Sequence, residues 1–295
     1  MPPRPRPPKR TPRSVVYRRR LVALVVLIAG FAIAWAVVSS FGGSGKSKPS
    51  TTAPVARRPF KVVFPEGFTR AQMAQRVKAV AQIARRERGR EPALNGRAYL
   101  ADTRAPRREP GFGRRRYPLE GFLFPATYDF TIRSTAAQLI AQQLEAFRGN
   151  WAKVNLRHAS SKNLTPYDVL TIASMIERET AAPEERQLVA AVIYNRLHLH
   201  MPLGIDATLR YGLQIPPTES IHQSQLDSTS PYNTGKRPGL PPTPIANPGL
   251  ASIQAAAHPA HVDYLYYVRK PDKKHHFFTA SVTAFERYKA EHGYR

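Results

Sequence analysis

The chain has 295 residues, enough for one large domain or two small ones once any tail is set aside. It carries 45 Lys+Arg against 20 Asp+Glu, a formal charge of +25, and no cysteine. The missing cysteines exclude a disulfide framework and any thiolate metal site. The charge points to a polyanionic neighbour: nucleic acid, anionic lipid or a phosphate-bearing wall polymer.

Residues 1–20 hold eight basic side chains and no acid, which leaves +17 for the rest. The stretch MPPRPRPPKRTPRS is too rich in Pro and Arg to build a core and is expected to be a disordered cytoplasmic tail. LVALVVLIAGFAIAWAVV then opens an uncharged run over residues 21–41, about the twenty residues a helix needs to cross a bilayer. The RRR before it predicts a single-pass cell-membrane anchor, N-terminus cytoplasmic and the remainder extracytoplasmic. A cleaved signal peptide is the rival, but its apolar core is normally about 7–15 residues, shorter than this run, and no clear small-residue cleavage site follows. Residues 42–58 read as a Gly/Ser/Pro linker. GSGKS within it is not a phosphate loop, because the position needing glycine is Ser40.

In residues 59–116, Lys61 to Phe64 predicts a strand, PEG a turn, and Thr69 with Gln72 a capping box. Met73, Val77, Val80 and Ala81 recur at helical spacing. A short helix is expected near GRAYLA, so the pattern fits a small βααβ module followed by an Arg-rich connector. Residues 117–295 begin with the aromatic LEGFLFPATYDF and an amphipathic helix, TAAQLIAQQLEAFRGNWAKV. Thr165, Pro166 and Asp168 form a strong helix start. Another helix begins at Pro183. The segment from about Met201 to Gly249 is loop-rich, and Asn247 and Pro248 predict the start of a helix ending before Pro259. YLYYVRKPDKKHHFFTA reads as two strands around a KPDKK turn, and VTAFERYKAE as a closing helix. The fold class is therefore α+β.

On the helix from Pro166, Val169, Ile172, Ala173 and Ile176 share one face. Stepping about 100° per residue sets Glu177 and Glu179 on opposite flanks of that stripe. Periodicity cannot choose between them, and a solvated helix-end carboxylate is the plain reading of each. Glu120 reads as a cap or an arginine partner, and Asp206 as a helix N-cap. Tyr232, Asn233, Thr234 and Asn247 lie in a long Pro-rich irregular stretch, of the kind that is usually functional. With Tyr128 they are candidate contacts for a sugar polymer; turn and cap roles are the alternative.

LEGFLFPATY, ASMIERET, VIYNRL, DATLRYGL, SPYNT, GLPPTPIANPG and AAAHP…YLYYV occur in this order, and together they resemble the endolytic murein transglycosylases of the YceG-like family. The resemblance spans roughly residues 60–288 and departs from the family at Ala126, often Asp, and in the longer Arg-rich insertion. It implies a membrane helix, a LysM-like module and an extracytoplasmic catalytic domain that cuts peptidoglycan glycan strands internally, leaving 1,6-anhydro-muramic ends. By motif position it puts the catalytic glutamate on Glu177. Glu179, which could orient the acid or bind a neighbour, and Asp206 and Glu120 are secondary carboxylate candidates read from the sequence itself. The implied partners are glycan strands, membrane lipid and peptidoglycan synthases or division and elongation proteins. One carboxyl suffices in such chemistry, because the sugar's own C6 hydroxyl is a tethered nucleophile.

No metal is expected: HPAH, HLH and HH lack the spacing of a zinc helix. No G-x-S-x-G elbow marks a serine hydrolase, no cofactor is expected, and no nucleic-acid-binding pattern accompanies the charge. The rival class is a non-catalytic, membrane-tethered wall-binding module or scaffold. Mass spectrometry of the mature chain is expected to find residues 21–41 retained; an N-terminus near Ser40 would replace the anchor with a cleaved signal.

Overall fold

The computed structural model describes residues 58–294. The expected tail, membrane helix and nearly all of the linker lie outside the described residues. Among the described residues no helix is long and apolar enough to cross a membrane.

Strand β1 (Phe60–Val63) leads through the Pro65–Gly67 turn into helix α1 (Arg70–Arg88), which starts at the Thr69–Gln72 capping box. Helix α2 (Gly96–Arg104) packs on α1, capped by Asn95. The strand completing the unit is β2 (Thr127–Phe130), antiparallel to β1 with Phe60 opposite Phe130 and Val62 opposite Tyr128. The β–α–α–β order is as the sequence predicts, but β2 lies beyond residue 116. The division at 116/117 thus falls between two strands of one sheet, and the chain from Arg58 onward forms one compact unit. Short strands with remote partners leave no local periodic signal that marks such a pairing.

Helix α3 (Ala136–Trp151) carries the core residues Leu139, Ile140, Leu144 and Phe147 and is followed by the short α4 (Arg157–Ser161). Helix α5 (Pro166–Glu179) opens with Pro166 in its first turn and a reciprocal Thr165–Asp168 box. Its predicted stripe is buried, but so are Leu170, Thr171, Ser174 and Met175. Such a helix is sheathed on all sides rather than lying on a surface. Its polar groups are satisfied internally: Thr171 donates to the Tyr167 carbonyl, and Ser174 Oγ accepts the Ile245 N–H at 3.0 Å.

A 3₁₀ turn (Pro183–Glu185) precedes α6 (Arg186–His198). The loop-rich stretch contains α7 (Asp206–Leu213) and the single turn α8 (Gln223–Leu226). Helix α9 (Leu250–Ala257) packs on α5 and α6. The hairpin β3 (Tyr266–Arg269) and β4 (His276–Thr279) and the last helix α10 (Val282–Glu291) follow the predicted pattern. In the hairpin turn Asp272 accepts the Lys274 and His275 N–H groups.

Two predicted caps are corrected. Gly249, not Asn247, is the N-cap of α9, and Asp206 is the first residue of α7, preceded by Ile205 at the cap. Asn247 is fully buried and spent elsewhere. Its Oδ1 accepts the Leu123 N–H, and its Nδ2 donates to the Phe68 carbonyl and to Glu120 Oε1. Glu120, 2% exposed, also accepts the Arg70 main-chain N–H at 3.0 Å, the Arg70 guanidinium at 3.4 Å and the Tyr211 hydroxyl at 2.9 Å. This is the arginine pairing read from the sequence. Glu120→Ala leaves the Arg70 cation without its carboxylate and is expected to cost about 3–5 kcal/mol. The readout is a lower urea midpoint at unchanged slope; an unmoved midpoint would show the node to be dispensable.

Candidate active site

The two glutamates at the end of α5 meet different surroundings. Glu177 Oε2 accepts the Gly249 N–H at 3.0 Å, at the N-terminus of α9, where the helix field stabilises negative charge. Glu66 lies over the same glycine: a Cβ at position 249 would meet its carboxyl group, which would have to turn aside. Partial burial and the Glu177 charge raise the Glu66 pKa, with Arg186 opposing. Glu66 escapes the sequence reading because it sits inside a PEG turn, 111 positions before Glu177.

Glu179 closes α5 and lines a hollow of about 730 Å³ together with Asp206, Arg196, Arg269, Tyr267 and His276. The Tyr267 hydroxyl donates to Glu179 Oε2 at 3.3 Å. Burial raises the Glu179 pKa, and the Asp206 charge raises it further; Arg269, the Tyr267 hydrogen bond and the Ala207 N–H oppose this. Behind the hollow, His276 is buried with Nδ1 2.6 Å from Glu185 Oε2, and its N–H donates to Glu185 Oε1. The His276 ring meets Tyr267 edge-on at 5.4 Å between centroids. Tyr267, His276 and Glu185 are missed by sequence reasoning, which weighs the HH pair only as metal ligands; their partners lie 88 and 91 positions away.

The walls are fixed from α6. Asn195 donates to the Val262 and Tyr264 carbonyls, and Arg196 to those of Pro202, Leu203 and Leu265. A second hollow, about 780 Å³, is lined by Glu120, Arg70, Tyr211 and Tyr232. The two share Arg178, Ala207, Arg210 and Pro217 as a common wall. Burial raises the Glu120 pKa, against Arg70 and its hydrogen bonds.

The structure brings Glu179 and Asp206 together and keeps Glu177 and Glu120 apart from them. Of the candidate sugar contacts Tyr232 alone lines either of these two hollows, its hydroxyl 2.9 Å from Thr243 Oγ1. Tyr128 is buried in β2 and donates to the Phe124 carbonyl. Asn233 donates to the Leu226 and Ser228 carbonyls, and Thr234 Oγ1 accepts the Ile205 N–H. Both are buried, and their polar atoms, like those of Asn247, hold the loop together instead of facing a ligand.

A desolvated carboxyl beside a second one, in a cleft with arginine walls, is equipment for acid–base chemistry. The chain belongs to the YceG-like family, whose model matches residues 46–291. It is 37% identical over 155 residues to an endolytic murein transglycosylase of Bacillus subtilis, covering 52% of this chain and 43% of the relative. A Streptococcus pneumoniae protein of the same name is 32% identical over 257 residues, covering 78% of this chain and 44% of the relative. The chain thus matches less than half the length of these relatives. A solved structure of a putative YceG-like protein from Listeria monocytogenes superposes with a TM-score of 0.65 at 31% identity, covering 79% of this chain and 76% of that one.

The raised Glu179 pKa has a stability consequence. The contribution of its proton is present below the ordinary glutamate range and is lost as pH rises through the folded-state value. Glu179→Gln keeps a neutral group there. Its Tm is expected to lie close to wild type at about pH 4 and above it at about pH 8; parallel pH profiles would contradict the desolvated site.

Proposed function

We propose that this chain is a membrane-anchored endolytic transglycosylase. In this reading residues 21–41 hold it in the cell membrane with the described domain extracytoplasmic, and the β–α–α–β unit is a LysM-like wall-binding element. It cuts nascent peptidoglycan strands at MurNAc–GlcNAc bonds, ends their elongation and leaves 1,6-anhydroMurNAc ends. Family membership and the relatives' names support the class of substrate. The observation that carries the chemistry is the desolvated Glu179 carboxyl in a hollow large enough for sugar rings.

The motif resemblance assigns the acid to Glu177, but the environments favour Glu179. A general acid must hold a proton near neutral pH, and an exposed glutamate is only about 0.2% protonated at pH 7. Burial and the Asp206 charge push Glu179 toward the protonated form. Glu177 instead is held by the Gly249 N–H and lines neither hollow. In the reaction Glu179 donates its proton to the glycosidic oxygen as the bond to muramic C1 breaks. The C6 hydroxyl of the same sugar attacks C1, closing the anhydro ring, and its proton returns to Glu179. Tyr267 fixes the carboxyl rotamer, and Asp206 stabilises the positive charge that develops at C1.

The nearness of Asp206 favours one second reading: Asp206 activates water and the product is a reducing end. Mass spectrometry of products from uncrosslinked strands separates the two. Wild type is expected to give internal fragments with anhydro ends. Glu179→Gln is expected to lose about 10²–10⁴ in rate, while Glu177→Gln retains most of it. The reverse ranking puts the acid on Glu177. Reducing ends make the chain a hydrolase, and strands retained without cleavage make it a wall-binding module.

A further inference from the structure

We propose that the hollow on the Glu120 side of the cleft binds the peptide stem of the muramic sugar through the stem's carboxylates; this rests on the glycan-cleaving reading above. Four arginines line it (Arg70, Arg104, Arg178 and Arg210), against one carboxyl, Glu120. Glu120 is already engaged by Arg70, Asn247 and Tyr211. Among the described residues, Arg104, Arg178 and Arg210 have no ion-pair partner. Arg70 keeps a buried Nη1 with no hydrogen-bond acceptor. A concave surface with at least three uncompensated cations concentrates anions, and a buried guanidinium N–H without a partner is costly until an acceptor arrives.

The rest of the lining selects among anions. Leu100, Ile215, Pro216 and Ile245 are apolar, and the Gln75 and Gln214 amides stand at the surface. Apolar area with amides and guanidinium forks suits a short peptide bearing carboxylates. A bare pyrophosphate would leave most of the roughly 780 Å³ unfilled. Position agrees with this choice. The stem hangs from the lactyl group on the same muramic ring whose C1 reacts at Glu179, and the two hollows share Arg178 and Arg210. A ring held in one hollow can therefore lay its stem over the common wall into the other.

The test uses the full chain in detergent and two substrates, uncrosslinked strands with stems and the same strands stripped by an amidase. Wild type is expected to cleave stem-bearing strands with a KM about tenfold lower. Arg104→Glu, at an exposed helix end with no partner to lose, is expected to shrink that preference about tenfold. Binding is read separately on Glu179→Gln, with a synthetic stem pentapeptide whose carboxylates are free or amidated and with inorganic pyrophosphate. Tighter binding of the free-carboxylate peptide, weakened by Arg104→Glu and by salt, supports the inference even if no strand is cleaved. Cleavage indifferent to stems, or peptide binding indifferent to its carboxylates or to Arg104, overturns it. Pyrophosphate binding in place of the peptide would make the hollow a phosphate site and overturn it as well.

Discussion

The molecule is organised around one buried carboxyl group. Glu120 is taken out of water, and a carboxyl there is tolerable only when its oxygens are saturated with donors. Those donors come from the start of α1, from α7 and from the loop before α9. Satisfying this one side chain therefore fixes three chain segments relative to the LEGF turn. It also explains why the β–α–α–β unit is no separate body. Asn247 repeats the logic: it ties Phe68 and Leu123 while contributing to Glu120.

The second organising feature is the divergence of two glutamates separated by a single arginine. On a helix they diverge by about 200°, so one meets the end of α9 and the other the hollow under α7. Identical side chains thereby acquire different neighbours, the Gly249 N–H and the Glu66 carboxyl for Glu177, and Asp206 and the Tyr267 hydroxyl for Glu179. Arg178 between them is exposed, reaching the Gly67 carbonyl at 3.3 Å and bordering both hollows.

Much of the fold is legible in the sequence where the signals are local. The boxes at Thr69 and Thr165, the KPDKK turn and the closing helix depend on residues within four positions of one another, and they stand where expected. The site is less legible. Periodicity names the face of a helix but not what packs on it, so it ranks Glu177 and Glu179 equally. Asn233, Thr234 and Asn247 have the composition of sugar contacts, yet a long loop without a regular ladder must satisfy its own backbone, and these side chains do that. Glu66, Glu185 and His276 acquire meaning only through partners about ninety or more positions away.

That remoteness bears on how the protein comes into being. The bonds that build the cleft span 127 positions for Glu120 and Asn247, 91 for Glu185 and His276, and 88 for Glu179 and Tyr267. Closing loops of this length costs on the order of 4 kcal/mol each in chain entropy, recovered only when both ends are present. Synthesis delivers the N-terminal end first. A nascent chain that has released Glu179 still lacks Tyr267 and His276, so this carboxyl stands unpositioned until the β3–β4 hairpin has emerged 88 positions later. On the proposed reading, the cutting site would thus be born inert and armed only when that hairpin docks.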